Sequence, residues 1–177
     1  MIWLSNSTLT RLRDKLRASG QRPSLFLTDP TAISPEATEL LATTAEYGPL
    51  SEAMYLMMSA DGHVTHDERQ VLRGALRNLS DGSVRSVTIE ALLDAAARNV
   101  ASHGREKRLL DVSQQLAEDP NRAEVAFVLA AAMALADNVV ADEENDLLNR
   151  FAELLGIDEV KANALLDALE NDLTDAR

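Results

Sequence analysis

Apolar residues recur at spacings of three and four along most of the chain, which is the period of an α-helix with one buried face. The clearest example is the segment 66–79. Its apolar side consists of Val71, Leu72, Ala75, Leu76 and Leu79. No stretch shows the alternation of apolar and polar residues that is typical of a strand. The pattern predicts an all-α fold, a compact bundle of seven to eight helices.

Capping residues, glycine and proline predict where the helices begin and end. Ser34-Pro35-Glu36 and Asp119-Pro120 each place a cap before a proline, which favours a helix start. Gly48-Pro49 is predicted to end the first of these helices, with a new one over residues 50–60. Residues 19–34 are predicted to be an irregular connector. The other predicted helices cover residues 7–18, 66–79, 86–102, 105–118, 120–136 and 142–155, and a last one is capped by Asp158.

One segment of the chain occurs twice, at an offset of 76 residues. Residues 54–79 align with residues 130–155, so that Ala60-Asp61-Gly62 falls on Ala136-Asp137-Asn138. Glycine and asparagine are the residues that most readily adopt the left-handed conformation that ends a helix. Each copy continues with a spacer that contains valine, then acidic residues and an apolar helix. The repeat predicts a bundle made of two pseudo-repeats.

The two copies differ in how the second helix of each begins. Thr65 and Glu68 have the spacing of a capping box, in which each side chain satisfies a free backbone amide of the other residue. The second copy has Ala141 in place of Thr65 but retains the acidic residue as Glu144. This difference indicates that the carboxylate has a role besides capping.

Charge separates the chain into a basic start and an acidic remainder. The net charge is −12, yet residues 1–22 contain five basic side chains and one acidic one. We therefore divide the chain into a basic helix and connector, residues 1–34, and a helical domain, residues 35–177. The leucines of residues 7–18 either dock on the acidic body, which we favour, or make peripheral contact with an anionic membrane.

Composition excludes several classes of partner and location. An acidic body with few aromatic residues argues against nucleic-acid binding. The absence of cysteine excludes disulfides and thiolate metal ligands. No apolar run is long enough to span a bilayer. We expect a cytoplasmic protein, or one at the inner face of the membrane, with other proteins as its partners.

The two acidic turns are candidate sites for a divalent cation. Carboxylates surround both turns, and hard cations such as Ca²⁺, Mg²⁺ and Mn²⁺ prefer oxygen ligands, including the carbonyl groups of the turn. The candidate ligands are Asp61, Asp67 and Glu68 in the first copy and Asp137, Glu143 and Glu144 in the second. The alternative is that these residues only form turns and caps, as such residues commonly do. The spacing is not that of an EF-hand, because the sixth position from Asp61 is a histidine rather than glycine.

Catalytic signatures are missing from the sequence. Three histidines form neither a zinc-protease nor a di-iron pattern, and there is no phosphate-binding loop or nucleophile turn. The adjacent His66-Asp67 is similar to the dyad of helical metal-dependent phosphohydrolases, which remains a remote alternative. Arg69, Arg73 and Arg77 form a basic stripe that could receive an acidic partner, although we favour arginines that are either solvated or paired with carboxylates of the protein itself. We expect a protein that is not an enzyme.

The duplicated acidic motif resembles the TerB-like family of tellurite-resistance proteins. The resemblance rests on Ala60-Asp61-Gly62-His63-Val64, on Asp67 and Glu68, and on the second copy at 136–144. It implies a compact helical bundle of two related halves over about residues 35–172. It also implies a non-enzymatic acidic module linked to metal ions and to the tellurite or chemical-stress response. Asn138 replaces the usual glycine of the second turn.

Overall fold

The computed structural model describes residues 4–19, 34–60, 62, 64–135 and 142–175, and for 142–144 and 172–175 it describes the backbone alone. Within these ranges the chain forms eight α-helices and no strand, which confirms the all-α bundle. The helices are α1 (Asn6–Ala18), α2 (Pro35–Met58), α3 (His66–Leu79), α4 (Ser86–His103), α5 (Arg105–Ala117), α6 (Pro120–Ala134), α7 (Asp142–Leu154) and α8 (Glu159–Asp175).

The caps predicted for three helix starts are present. The Ser34 hydroxyl accepts a hydrogen bond from the amide of Ala37 at 3.2 Å, with Pro35 opening α2. Asp119 accepts from the first amides of α6, the shorter contact measuring 2.8 Å. Asp158 accepts from the amide of Lys161 in α8 at 2.8 Å. Local sequence therefore determines these boundaries.

The predicted break at Gly48-Pro49 is wrong, because α2 continues through both residues. Pro49 has no amide proton, so the carbonyl of Ala45 loses the donor that a regular helix supplies. Arg122 of α6 replaces that donor: its Nη2 lies 3.2 Å from the oxygen of Ala45 and 2.9 Å from that of Glu46. A side chain from another helix thus completes α2 at its proline.

The centre of the bundle is α6. All side chains of residues 125–134 are buried, so this helix is apolar on every side. It packs against α1, α2, α5, α7 and α8. Among the described residues, the two largest fully buried side chains are Phe127 of α6 and Phe151 of α7.

The basic helix α1 packs on the bundle through its leucines, as we favoured from the sequence. Leu9 and Leu12 are 4% and 2% exposed. Lys15 forms an ion pair with Glu124 of α6, which also binds Lys161 of α8 at 3.0 Å. Burial raises the pKa of Glu124, but the hydrogen bonds from the two lysines outweigh it, so the pKa lies below its usual value.

None of the helices within the described ranges is long and apolar enough to cross a membrane. The connector predicted for residues 19–34 lies, apart from its two ends, outside the described residues. The division at residue 34 stays a prediction.

Helix boundaries repeat at the offset found in the sequence. α2 and α6 end at Met58 and Ala134, and α3 and α7 begin at His66 and Asp142, each pair 76 residues apart. Aligned positions are buried in both copies: Leu72 with Leu148, Ala75 with Phe151, Leu76 with Ala152, and Leu79 with Leu155. Residues 76 positions apart therefore occupy equivalent places at helix ends and in the core. That the whole bundle is made of two pseudo-repeats stays a prediction.

Candidate functional site

The first acidic turn begins where α2 ends. The amide of Gly62 donates to the oxygen of Ser59 at 2.9 Å, and Gly62 has a φ of 107°, a region that side chains other than glycine rarely adopt. The glycine is thus required by the turn, as predicted. Asp61 and His63, on either side of it, lie outside the described residues.

A complete capping box follows this turn. An oxygen of the Glu68 carboxylate accepts from the Thr65 amide at 2.7 Å and from the Thr65 hydroxyl at 2.8 Å, and the hydroxyl accepts from the Glu68 amide at 3.3 Å. The predicted box is confirmed. This carboxylate therefore serves the start of its own helix.

An arginine closes the other side of the turn. Arg105, the first residue of α5, donates to the carbonyl oxygen of Ala60 at 2.7 Å and to that of Ser59. These oxygens belong to the end of α2, where the helix dipole favours a positive charge. The buried Nε of Arg105 has no acceptor within the part of the chain that the structure describes. Carbonyl groups of the turn were predicted to complete the coordination shell of a cation, and two of them already accept hydrogen bonds from a guanidinium.

The remaining candidate ligands are only partly placed. Asp67 is exposed in the first turn of α3. Glu143 and Glu144 lie in the first turn of α7, but their side chains are outside the described residues, as is Asp137 altogether. Among the described side chains, no three histidine, aspartate or glutamate residues are grouped to hold a metal ion. Cation binding at these residues stays a prediction.

The basic stripe of α3 is paired with α4. One Nη of Arg69 lies 2.9 Å from Glu90 and 2.7 Å from Asp94, and Arg73 lies 3.0 Å from Glu90. The hydrogen bond from Arg69 is the main reason why the pKa of Glu90 lies below its usual value. Arg77, the third member, is exposed. For two of the three arginines, our interpretation is confirmed.

A buried ion pair joins α2 to α5. Both carboxylate oxygens of Glu52 accept from Arg108, at 2.5 and 3.0 Å, and the side chains are only 8% and 15% exposed. Asn99 of α4 donates to the same carboxylate at 3.0 Å. The hydrogen bonds between Arg108 and Glu52 are the main reason why the pKa of Arg108 lies above its ordinary value. The sequence analysis did not identify this ion pair, because the only indication in the sequence was an acidic residue at an inward-facing position of α2.

The first half of α2, residues 35–48, contributes little to the core beyond the packing of Tyr47 against it, and we call this segment the arm. None of its side chains is buried, whereas burial begins at Leu50. A furrow of about 590 Å³ separates it from α1 and from the α3–α4 turn. A cleft of about 420 Å³ lies on its other side, against α4 and α5. Leu40 and Leu41 line neither cavity and are 49% and 38% exposed.

Comparison with known protein families places the chain in one of them. A family described as tellurite resistance protein TerB matches residues 50–167, which is more than half of the chain. No curated protein and no solved structure matches it. The matched region contains the segments of both acidic turns, and it leaves out α1 and the arm.

Proposed function

This chain belongs to the TerB family, and from that premise we propose that it is a non-enzymatic interaction module of the tellurite and chemical-stress response. In this proposal it acts on the cytoplasmic side of the membrane by binding another protein, without a metal ion at its first acidic turn. The observation that supports the proposal is the closure of this turn by groups of the chain itself.

A cation at this turn would need carboxylate and carbonyl oxygens, and oxygens of both kinds already accept hydrogen bonds from groups of the chain itself. Glu68 is held in the capping box, and the carbonyls of Ser59 and Ala60 accept from Arg105. A divalent cation at these carbonyls would meet the charge of the guanidinium. At a separation of about 4 Å and an effective dielectric constant of about 20, that repulsion is about 8 kcal/mol. Glu68 therefore serves the architecture of the first turn.

A second candidate function is the binding of Ca²⁺, Mg²⁺ or Mn²⁺ at the second acidic turn. Here the sequence has Ala141 where Thr65 stands, so Glu144 has no hydroxyl at the corresponding position with which to form the box. Together with Asp137 and Glu143, this carboxylate supplies oxygens of the kind that hard cations prefer. This candidate keeps the metal-ion link that the family resemblance implies.

A thermal-shift titration decides between the two functions. The chelator-treated protein is titrated with each of the three cations, because a ligand that binds the native state raises its melting temperature by mass action. The variants are Asp61→Asn with Asp67→Asn for the first turn and Asp137→Asn with Glu144→Gln for the second. A control, Glu159→Gln with Asp167→Asn, removes two exposed charges from α8.

Each result has a defined meaning. An unchanged melting temperature at millimolar cation supports the metal-free module. A rise that is lost only in the second-turn variant overturns it in favour of the second candidate. A rise that is lost in the first-turn variant shows that Arg105 does not exclude a cation from the first turn, and it overturns the metal-free module.

A further inference from the structure

We propose that the cleft between the arm and helices α4 and α5 binds a small zwitterion, an α-amino acid with an apolar side chain. The cleft has a volume of about 420 Å³, which lies in the lower part of the range of small-molecule sites. None of the described residues that line it belongs to either acidic turn. The inference therefore goes beyond the proposed function and does not depend on it.

One guanidinium in the cleft has fewer partners than its position requires. Arg122 lines the cleft from α6 and donates to the carbonyls of α2 through Nη2. Within the part of the chain that the structure describes, Nη2 is the only nitrogen of this guanidinium with an acceptor, and Nε is buried without one. Polar groups of a folded protein that lie away from water are nearly always hydrogen-bonded. This arginine therefore retains the capacity to bind a carboxylate.

The wall that α2 contributes has no side chain at one position. Gly48 lines the cleft from inside this helix, where glycine is less favourable than alanine. Apart from the two adjacent residues, the only side chain that a Cβ atom at Gly48 would meet is that of Thr44, at 4.0 Å. Neither packing nor a positive φ requires a glycine here. The missing side chain leaves room in the cleft that a ligand can fill.

The rest of the lining suits an aliphatic group. Pro49 of α2, Leu92, Ala95 and Ala96 of α4 and Val112 of α5 all line the cleft. A ligand that covers these side chains removes its own apolar surface and theirs from water, which favours binding. The ligand therefore combines a charged end with an apolar body.

The unpaired charges of the lining select a zwitterion. Glu52 and Arg108 also line the cleft, but they neutralise each other in the buried ion pair. Arg122 and Glu118 take part in none of the ion pairs formed by the described side chains, so one charge of each sign is left in the lining. A carboxylate at Arg122 and an ammonium group at Glu118 satisfy both. A simple carboxylic acid would leave Glu118 without a partner.

The test measures binding of four small molecules to the full chain by isothermal titration calorimetry. L-Leucine is the probe, isocaproate is leucine without its ammonium group, and isoamylamine is leucine without its carboxylate. L-Serine keeps both charges and lacks the aliphatic side chain. We expect leucine to bind at least about tenfold more tightly than any of the other three.

A filled cleft tests the location of the site. Gly48→Leu should abolish leucine binding without lowering the melting temperature, because leucine favours a helix more than glycine does. The control is Gly74→Leu, at a glycine of α3 outside the cleft where a Cβ also has room. This variant should bind leucine as the wild type does.

A change of ligand preference keeps the test independent of folding. Glu118→Gln should weaken the binding of leucine but not that of isocaproate, whereas a misfolded protein would lose both. Arg122→Met should weaken the two carboxylates by the same factor. Glu153→Gln removes an exposed carboxylate of α7 and serves as the control, with no expected effect on either ligand.

Three results overturn the proposal. No binding of leucine at millimolar concentration shows that the cleft does not take an amino acid. Isocaproate that binds as tightly as leucine replaces the zwitterion by a simple carboxylate. Unchanged leucine binding in Gly48→Leu places the site elsewhere. All three leave the metal titration, and with it the proposed function, unaffected.

Discussion

Replacing Arg122 by methionine removes the donor that completes α2 at its proline. Two hydrogen bonds from a charged group to the carbonyls of Ala45 and Glu46 are lost, and bonds to charged groups contribute about 1.5–3 kcal/mol. Methionine keeps most of the aliphatic length, so little packing is lost with the charge. We expect Arg122→Met to lower the free energy of unfolding by about 2 kcal/mol and the melting temperature by roughly 4–8 °C for a chain of this size.

Combining this change with Pro49→Ala tests whether Arg122 acts as the missing donor. Alanine at position 49 restores the amide that a regular helix offers to the carbonyl of Ala45, so Arg122 then has less to supply. In the Pro49→Ala background, Arg122→Met should cost about 1 kcal/mol less than in the wild type, which is a coupling typical of neighbouring residues. The control is Arg98→Met, at an exposed arginine of α4, which should change stability by less than about 0.5 kcal/mol in either background.

Urea unfolding followed by circular dichroism measures all six proteins, and the midpoints at equal slope give the differences. If Arg122→Met costs the same with and without Pro49, the arginine does not act as the missing donor. If Arg122→Met and Arg98→Met have equal small effects, the hydrogen bonds to α2 contribute nothing measurable.

Further predictions concern the buried pair, the capping box and pH. Glu52→Gln removes one of the two carboxylates paired with Arg108, which keeps Asp111 at 3.0 Å, and should cost about 2 kcal/mol, whereas Glu52→Leu with Arg108→Met should cost less than the sum of the single changes; urea unfolding measures both. Thr65→Ala should cost about 1 kcal/mol and Thr65→Ser almost nothing, in the same assay. The pKa of Glu124 in the folded protein is below its ordinary 4.5. Its contribution is therefore present above pH 4.5 and lost as the pH falls through the folded pKa, and Glu124→Gln should flatten the loss of melting temperature below pH 4.5.

Helix starts were predictable because their determinants are neighbours in sequence. A cap and the amide that it satisfies lie two or three residues apart, as for Ser34, Asp119 and Asp158. The Thr65–Glu68 box is of the same kind. Such contacts depend on neighbouring residues alone, so the local sequence carries the signal.

The features that sequence reasoning missed depend on residues far apart in the chain. The donor that carries α2 past Pro49 lies 77 residues after the acceptor Ala45, and Arg105 lies 45 residues after Ala60. An arginine gives no indication of which distant carbonyl it will reach. For the same reason the carbonyl oxygens of the first acidic turn were predicted to be available to a cation, because the guanidinium that contacts them belongs to another helix.

Arg105 and Arg122 have a consequence for the order of folding. Each completes a part of α2 from a helix that is synthesised later, and Arg13 of α1 similarly binds the carbonyls of Asn78 and Leu79 at the end of α3. A fragment that ends before Gly104 would lack both Arg105 and Arg122, and α2 would lose these hydrogen bonds at its proline and at its end. Secondary and tertiary structure should therefore be lost together, and unfolding monitored at the helices and at the core should give one coincident transition.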